Sequence, residues 1–280
     1  MPELAEVETV CRLLRDVLVG KQVTRVATVA DPIVFQHARR NVEDALVGRT
    51  VRAIGRRGKT FWIELDGPGP TVYGHLGMTG WIREVGREGT RLHAQGDAPF
   101  DDDAGRPRFL KLRIEVRGGR AVAFTDPRRL GRIWLGAAPA EEKRIQRLGR
   151  DAFDDLPTPK QLAALFARRT IPIKALLLDQ TVLAGIGNWL ADEILYQARI
   201  APSRPASSLD ARELAALRRT TRSILKRAVD VGADYERFPR TWLFEHRWGG
   251  GRGAQSIGGH AIRRDEVGGR TTAWVPTLQK

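Results

Sequence analysis

The sequence predicts an α+β protein of two domains, a β-sandwich or barrel entered through a helix and then a helical half that closes on a hairpin. Three observations carry this. Apolar residues recur at helical spacing from Leu4 to Leu18, short glycine-punctuated segments rich in Val, Ile, Phe and Trp fill 23–135, and helical periodicity takes over beyond GAAPAEE at 136–142.

Each element has its own local reason. Val7, Val10, Leu14, Val17 and Leu18 line one face of the opening helix, and Gly20 stops it. Strands are expected at 23–30, 51–57, 60–65, 71–75, 80–85, 109–116, 120–125 and 132–135. The stretch 86–108, with DDDAGRPR, is polar and aperiodic and reads as a long flexible loop. Helices follow at 159–168, 172–178, 188–198 and 208–230. The last has Ser208 or Asp210 as N-cap, Leu214, Leu217, Ile224, Leu225 and Ala228 on one side, and Gly232 past its end. Arg218, Arg219, Arg222 and Lys226 make its other face basic. GRTTAWVP reads as a hairpin with Gly269 near its turn. The expected division is 1–136, a linker at 137–150, 151–240 and 241–280.

Composition narrows the partner. The 280 residues are 42% hydrophobic, enough for a substantial core, and 47 Lys and Arg oppose 33 Asp and Glu for a net charge of +14. That balance points to a polyanion, nucleic acid ahead of a membrane surface. No apolar run reaches transmembrane length and no signal peptide is recognisable, so an intracellular protein is expected: cytoplasm or nucleoid if bacterial, nucleus if eukaryotic. Cys11 is the sole cysteine, which excludes a disulfide framework and a thiolate metal site within one chain.

The first eight residues, MPELAEVE, carry the chemistry. Removal of Met1 would leave Pro2 as a secondary amine whose pKa near 8 keeps a useful fraction neutral and nucleophilic. Attack on a sugar or carbonyl carbon would give an iminium directly, with Glu3 as proton shuttle. The competing structural reading is that proline suits a first helical turn and acids complement the helix dipole there. Further on, RRGK places Lys59 at a glycine turn, where its ammonium could meet phosphate. HLGMTG holds His75 and sets Met78 on a protruding turn, suited to wedging into a base stack. FTDPRRLG projects Arg128, Arg129 and Leu130 from a tight turn. GIGNWLADEIL runs into a helix whose backbone amides, with Asn188, could hold an anion.

In this order, MPELAEVE, RRGK, HLGM, TDPRR, LLDQTVLAGIGNWLADEILYQARIAP and GRTTAWVP resemble the formamidopyrimidine-DNA glycosylase and endonuclease VIII family of base-excision repair enzymes. The resemblance spans nearly the whole chain. It implies an N-terminal β-sandwich domain and a C-terminal helix-two-turn-helix domain ending in a β-hairpin finger, which together clamp double-stranded DNA containing oxidised bases or abasic sites. It also implies a monomer without cofactor. Pro2 matches the nucleophile at C1′, Glu3 the acid that assists sugar-ring opening, and Glu6 a supporting carboxylate. Lys59, a catalytic and phosphate-binding residue on this reading, is joined by His75, Lys174, Asn188 and Arg270 along the DNA. Met78, Arg128 and Leu130 fall where the family fills the void of an everted base, and Arg129 beside them is a further expected DNA contact.

Departures from the family pattern sharpen the expectation. Many members close the finger with four zinc-binding cysteines; here those positions hold Gln255, Gly258, Val275 and Leu278, and His246 with His260 cannot complete a tetrahedral site. No metal is expected, and FPRTWLFEHRWG with GRTTAWVPTLQK resembles the zincless-finger branch of plants and fungi. Ala5 replaces a frequent proline, and Leu130 a frequent phenylalanine. Residues 233–247 are short for a lesion-capping loop, which favours formamidopyrimidines, hydantoins and abasic sites over 8-oxoguanine. Two other classes compete with this reading: a damaged-DNA-binding protein that keeps the clamp without turnover, which intact Pro2 and Glu3 oppose, and a tautomerase-like enzyme, which the charge and the tail oppose.

Overall fold

A computed structural model describes residues 2–36, 39–87, 101–102, 104–248 and 256–280. Most of the loop expected at 86–108 therefore lies outside the described residues, as does Gln255. The chain forms two compact units, Met1–Arg147 with Gly232–Tyr235, and Leu148–Val231 with Glu236–Lys280.

The first unit opens with α1 (Leu4–Leu18), whose Val7, Val10, Cys11, Leu14, Val17 and Leu18 are buried as their spacing requires. Then come β1 (Val23–Thr28), α2 (Arg39–Leu46), β2 (Val51–Arg57), β3 (Thr60–Leu65) and β4 (Thr71–His75). β5 (Trp81–Glu84), β6 (Leu110–Val116), β7 (Ala121–Thr125), β8 (Arg132–Gly136) and the single turn α3 (Lys143–Gln146) complete it. Two separate antiparallel sheets form, β1-β6-β7-β5 and β2-β3-β4-β8, so the sandwich alternative holds and not the barrel. β3 alternates half-buried and buried positions, all four residues of β5 are buried, and the inward residues of both sheets share one apolar core with α1.

The second unit contains β9 (Arg150–Asp151), α4 (Pro159–Phe166), α5 (Ile173–Leu178), β10 (Leu183–Ala184), α6 (Asn188–Ala198) and α7 (Ala211–Asp230). It ends with α8 (Leu243–His246), β11 (Ser256–Ile257), β12 (His260–Ala261), β13 (Arg263–Val267) and β14 (Arg270–Trp274). Asp210 caps α7 by accepting from the Glu213 amide at 2.8 Å, so the aspartate and not Ser208 starts that helix. α5, two turns and α6 make a helix-two-turn-helix. Gln180 staples its turns, donating to the Leu178 and Ile186 carbonyls at 2.8 Å each and accepting from the Gly185 amide at 3.0 Å.

β13 and β14 pair through a two-residue turn, Gly268–Gly269, with φ of +62° and +70°. Two left-handed residues in succession match the twist of a hairpin and favour glycine, which reaches positive φ without steric cost. Beneath lies a small core of Tyr196, Leu243, Ile257, Ile262, Ala273 and Val275, with Leu278 packed against it. Val275 is thus buried hydrocarbon in this core, with Leu278 beside it. His246 Nε2 faces the Arg240 carbonyl and His260 Nδ1 the Thr277 hydroxyl. No group of three or more His, Cys, Asp or Glu is arranged for a metal among the described residues, and these side chains do not fit zinc.

Candidate active site and nucleic-acid interface

Pro2 and Glu3 are buried at the head of α1. Glu6, fully buried one turn on, accepts the Glu3 backbone N–H at 3.0 Å through Oε2, half of a capping box. Its other oxygen takes the Tyr235 hydroxyl at 2.6 Å. The start of the chain is thereby fixed from two sides.

Glu8 ties α1 to the turn bearing Lys59. It accepts from Arg15 at 2.8 Å and from Arg56 at 2.9 Å, and Arg56 also donates to the Gly58 carbonyl at 3.1 Å. Burial pushes the Glu8 carboxyl up, but the Arg15 and Arg56 guanidiniums outweigh it and hold the group below the usual range. Lys59, half-buried after Gly58 at φ +59°, stands beside His75 at the end of β4. Burial, helped by the Lys59 and Arg132 cations, pulls the His75 imidazole down to about 4, so it is neutral at physiological pH. Its Nδ1 accepts the Gly77 amide at 3.0 Å, which leaves Nε2 carrying the proton as a donor.

Met78 and Leu130 are 38% and 37% exposed, large apolar side chains presented to solvent by two different loops. The buried carboxylate of Asp126 joins those loops. It accepts from the Thr79 hydroxyl at 2.8 Å, the Gly131 amide at 2.6 Å and the Arg128 amide at 3.3 Å. Gly77, at φ +64°, approaches so closely that a Cβ there would lie 2.3 Å from the Leu130 carbonyl carbon. Arg128 is exposed beside Leu130. Arg129 forks onto Asp31 at 2.8 and 3.1 Å in a left-handed backbone conformation while 47% of its side chain stays exposed, and Lys111 joins the same carboxylate at 2.9 Å. Asp126, Asp31 and Tyr235 were not found by sequence reasoning. Only the Asp-Pro turn hinted at Asp126.

In the second unit Arg270 stands exposed at the hairpin tip, first in β14. Lys174 differs from the expectation of a residue along the DNA: it is fully buried, paired with Asp192 at 2.6 Å, and donates to the Thr272 hydroxyl at 2.7 Å and the Thr271 carbonyl at 3.1 Å. Asn188, at the first position of α6, also donates to the Thr271 carbonyl, at 3.0 Å. Asp192 accepts from Arg247 at 2.7 Å and from the Ala273 amide at 3.2 Å. These helices brace the strand that carries Arg270, because a buried ammonium is tolerated only when paired and hydrogen-bonded.

A sandwich whose first helix begins on Pro-Glu, followed by a helix-two-turn-helix unit with a basic hairpin, defines a class of proteins suited to a phosphate backbone. The family model for the formamidopyrimidine-DNA glycosylase N-terminal domain matches residues 1–133, and that for the formamidopyrimidine-DNA glycosylase H2TH domain matches 148–239. The chain is 37% identical to the formamidopyrimidine-DNA glycosylase of Arabidopsis thaliana, covering 100% of this chain and 71% of that one. It is 33% identical to that of Geobacter metallireducens over the whole of both chains. Among solved structures it is similar to the MutM (Fpg) protein of Thermus thermophilus, with a TM-score of 0.75, 30% identity, and coverage of 99% and 98%. It is also similar to Lactococcus lactis Fpg (MutM) in complex with Fapy-dG-containing DNA, with a TM-score of 0.78, 25% identity, and coverage of 99% and 100%. The chain belongs to the formamidopyrimidine-DNA glycosylase family.

Proposed function

We propose that this protein is a bifunctional DNA glycosylase and abasic-site lyase of base-excision repair, acting on oxidised bases in duplex DNA through a Schiff base on Pro2. The observation that carries this reading is the buried Pro2–Glu3 pair, oriented by the Glu6 carboxylate on the Glu3 amide at 3.0 Å. With Met1 removed, the neutral Pro2 nitrogen attacks C1′, the damaged base leaves with the electron pair of its bond, and the proton lost by the amine balances the one the base takes up. Glu3 then protonates the ring oxygen as the sugar opens to an iminium. The iminium acidifies the neighbouring sugar protons, and β- and δ-elimination release the flanking phosphates. One amine serves both activities.

The remaining residues divide the work of holding DNA. Lys59, the neutral His75 through its Nε2–H, Asn188 and Arg270 take phosphates, and the amides opening α6 add donors. Met78 and Leu130 fill the void of the everted nucleotide, with Arg128 reading the opposite base. Arg129 and Lys174 act as struts. The apolar core under the hairpin supports membership of the zincless-finger branch. The short segment after α7 supports a preference for formamidopyrimidines, hydantoins and abasic sites over 8-oxoguanine. No helix among the described residues is long and apolar enough to cross a membrane, which fits a protein acting on DNA in the nucleoid or nucleus.

Borohydride trapping on an abasic-site duplex tests the chemistry. The mature protein, its terminus read by mass spectrometry, is expected to trap covalently, and a residue added ahead of Pro2 to abolish trapping while duplex affinity stays. Duplex binding without any adduct would identify a non-catalytic DNA-binding protein instead.

A further inference from the structure

We propose that Tyr235 is a positioning residue for the amine at the head of the chain, acting through Glu6. The inference rests on the Schiff-base reading above and extends it to a side chain 229 positions from Glu6.

The phenol donates to Glu6 Oε1 at 2.6 Å, and Glu6 Oε2 accepts the Glu3 N–H at 3.0 Å. Both oxygens of one buried carboxylate are thus loaded, one from each end of the sequence. The Pro2–Glu3 peptide is planar, so fixing the Glu3 nitrogen also fixes the Pro2 carbonyl and the Cα from which the pyrrolidine nitrogen hangs. A near-attack geometry tolerates little rotation there. Burial, then the charge of Glu6 and its hydrogen bond, hold the Tyr235 hydroxyl well above 10, so it stays a donor at physiological pH. Its ring packs against the sandwich core, which gives the hydroxyl a firm base. Gly232–Tyr235 is counted with the first unit, apart from the sequence on either side of it, consistent with a segment whose placement serves α1.

Single-turnover trapping on an abasic-site duplex, with the duplex Kd measured in parallel, tests this. Tyr235→Phe keeps the ring and removes the donor. It is expected to slow trapping roughly tenfold, the scale of one hydrogen bond to a charged group, with Kd unchanged. In a Glu6→Gln background the same change should add little, because both act on one carboxylate. A Tyr235→Phe protein that traps at the wild-type rate, that loses duplex affinity instead, or whose loss multiplies with that of Glu6→Gln overturns the proposal. Wild-type protein that binds the duplex yet never traps overturns the covalent chemistry itself, and the positioning role with it.

Discussion

Arg270 and Lys174 carry the same charge in opposite surroundings, one exposed at the hairpin tip and the other fully buried. Arg270→Ala is expected to weaken duplex binding and to reduce the slope of log affinity against log salt by about one, measured by titration at several ionic strengths. Lys174→Met should do its damage in the unbound protein: it leaves part of the Asp192 charge without its ammonium, at a cost on the order of 3 kcal/mol in denaturant melts. Sequence alone supported both as DNA contacts, because a cation in a motif does not display its burial. The partner of Lys174 lies on the next helix, and the Asp31 that takes up Arg129 lies 98 residues away. The exposure of Met78 and Leu130 was legible because it is local: an apolar side chain on a glycine-flanked turn.

At the scale of elements, α1 and the sandwich strands were legible because one face of each is buried and the 3.6 or 2 residue period follows. α2, RRNVEDAL, escaped because only Val42, Ala45 and Leu46 are buried on an otherwise charged helix, too few to mark a period. The block formed by the Met78 and Leu130 loops depends on one buried carboxylate. Asp126→Ala should cost on the order of 2 kcal/mol in stability, since it leaves buried donors without their acceptor. It should also reduce cleavage within duplex more than within single strands, where no void needs filling. α6 carries a pH sensor of its own stability. Burial lifts the Glu193 carboxyl from its ordinary 4.5 to about 7, with the Asp192 charge adding, against the hydrogen bonds from Gln197 and the Phe244 amide. The folded state therefore holds a proton that the unfolded chain has released between those values, so this group's contribution is full below about 4.5 and is lost as pH rises through about 7. Melting temperatures from pH 5 to 8 should show a decline that Glu193→Gln makes shallower.

For the molecule as a whole, a net charge of +14 supplies attraction to DNA that is independent of sequence. Treatment with a strong chelator is expected to leave both the melting temperature and duplex cleavage unchanged. Loss of either on metal removal would show that the hairpin needs more than its hydrocarbon core. That core has a bearing on where such a protein can work. Thiolates that grip a metal are exposed to peroxide and climb irreversibly to sulfinic and sulfonic acids, whereas Val275, Ile257 and Ile262 offer an oxidant nothing to attack. The support beneath the hairpin would outlast the oxidative stress that scars a genome.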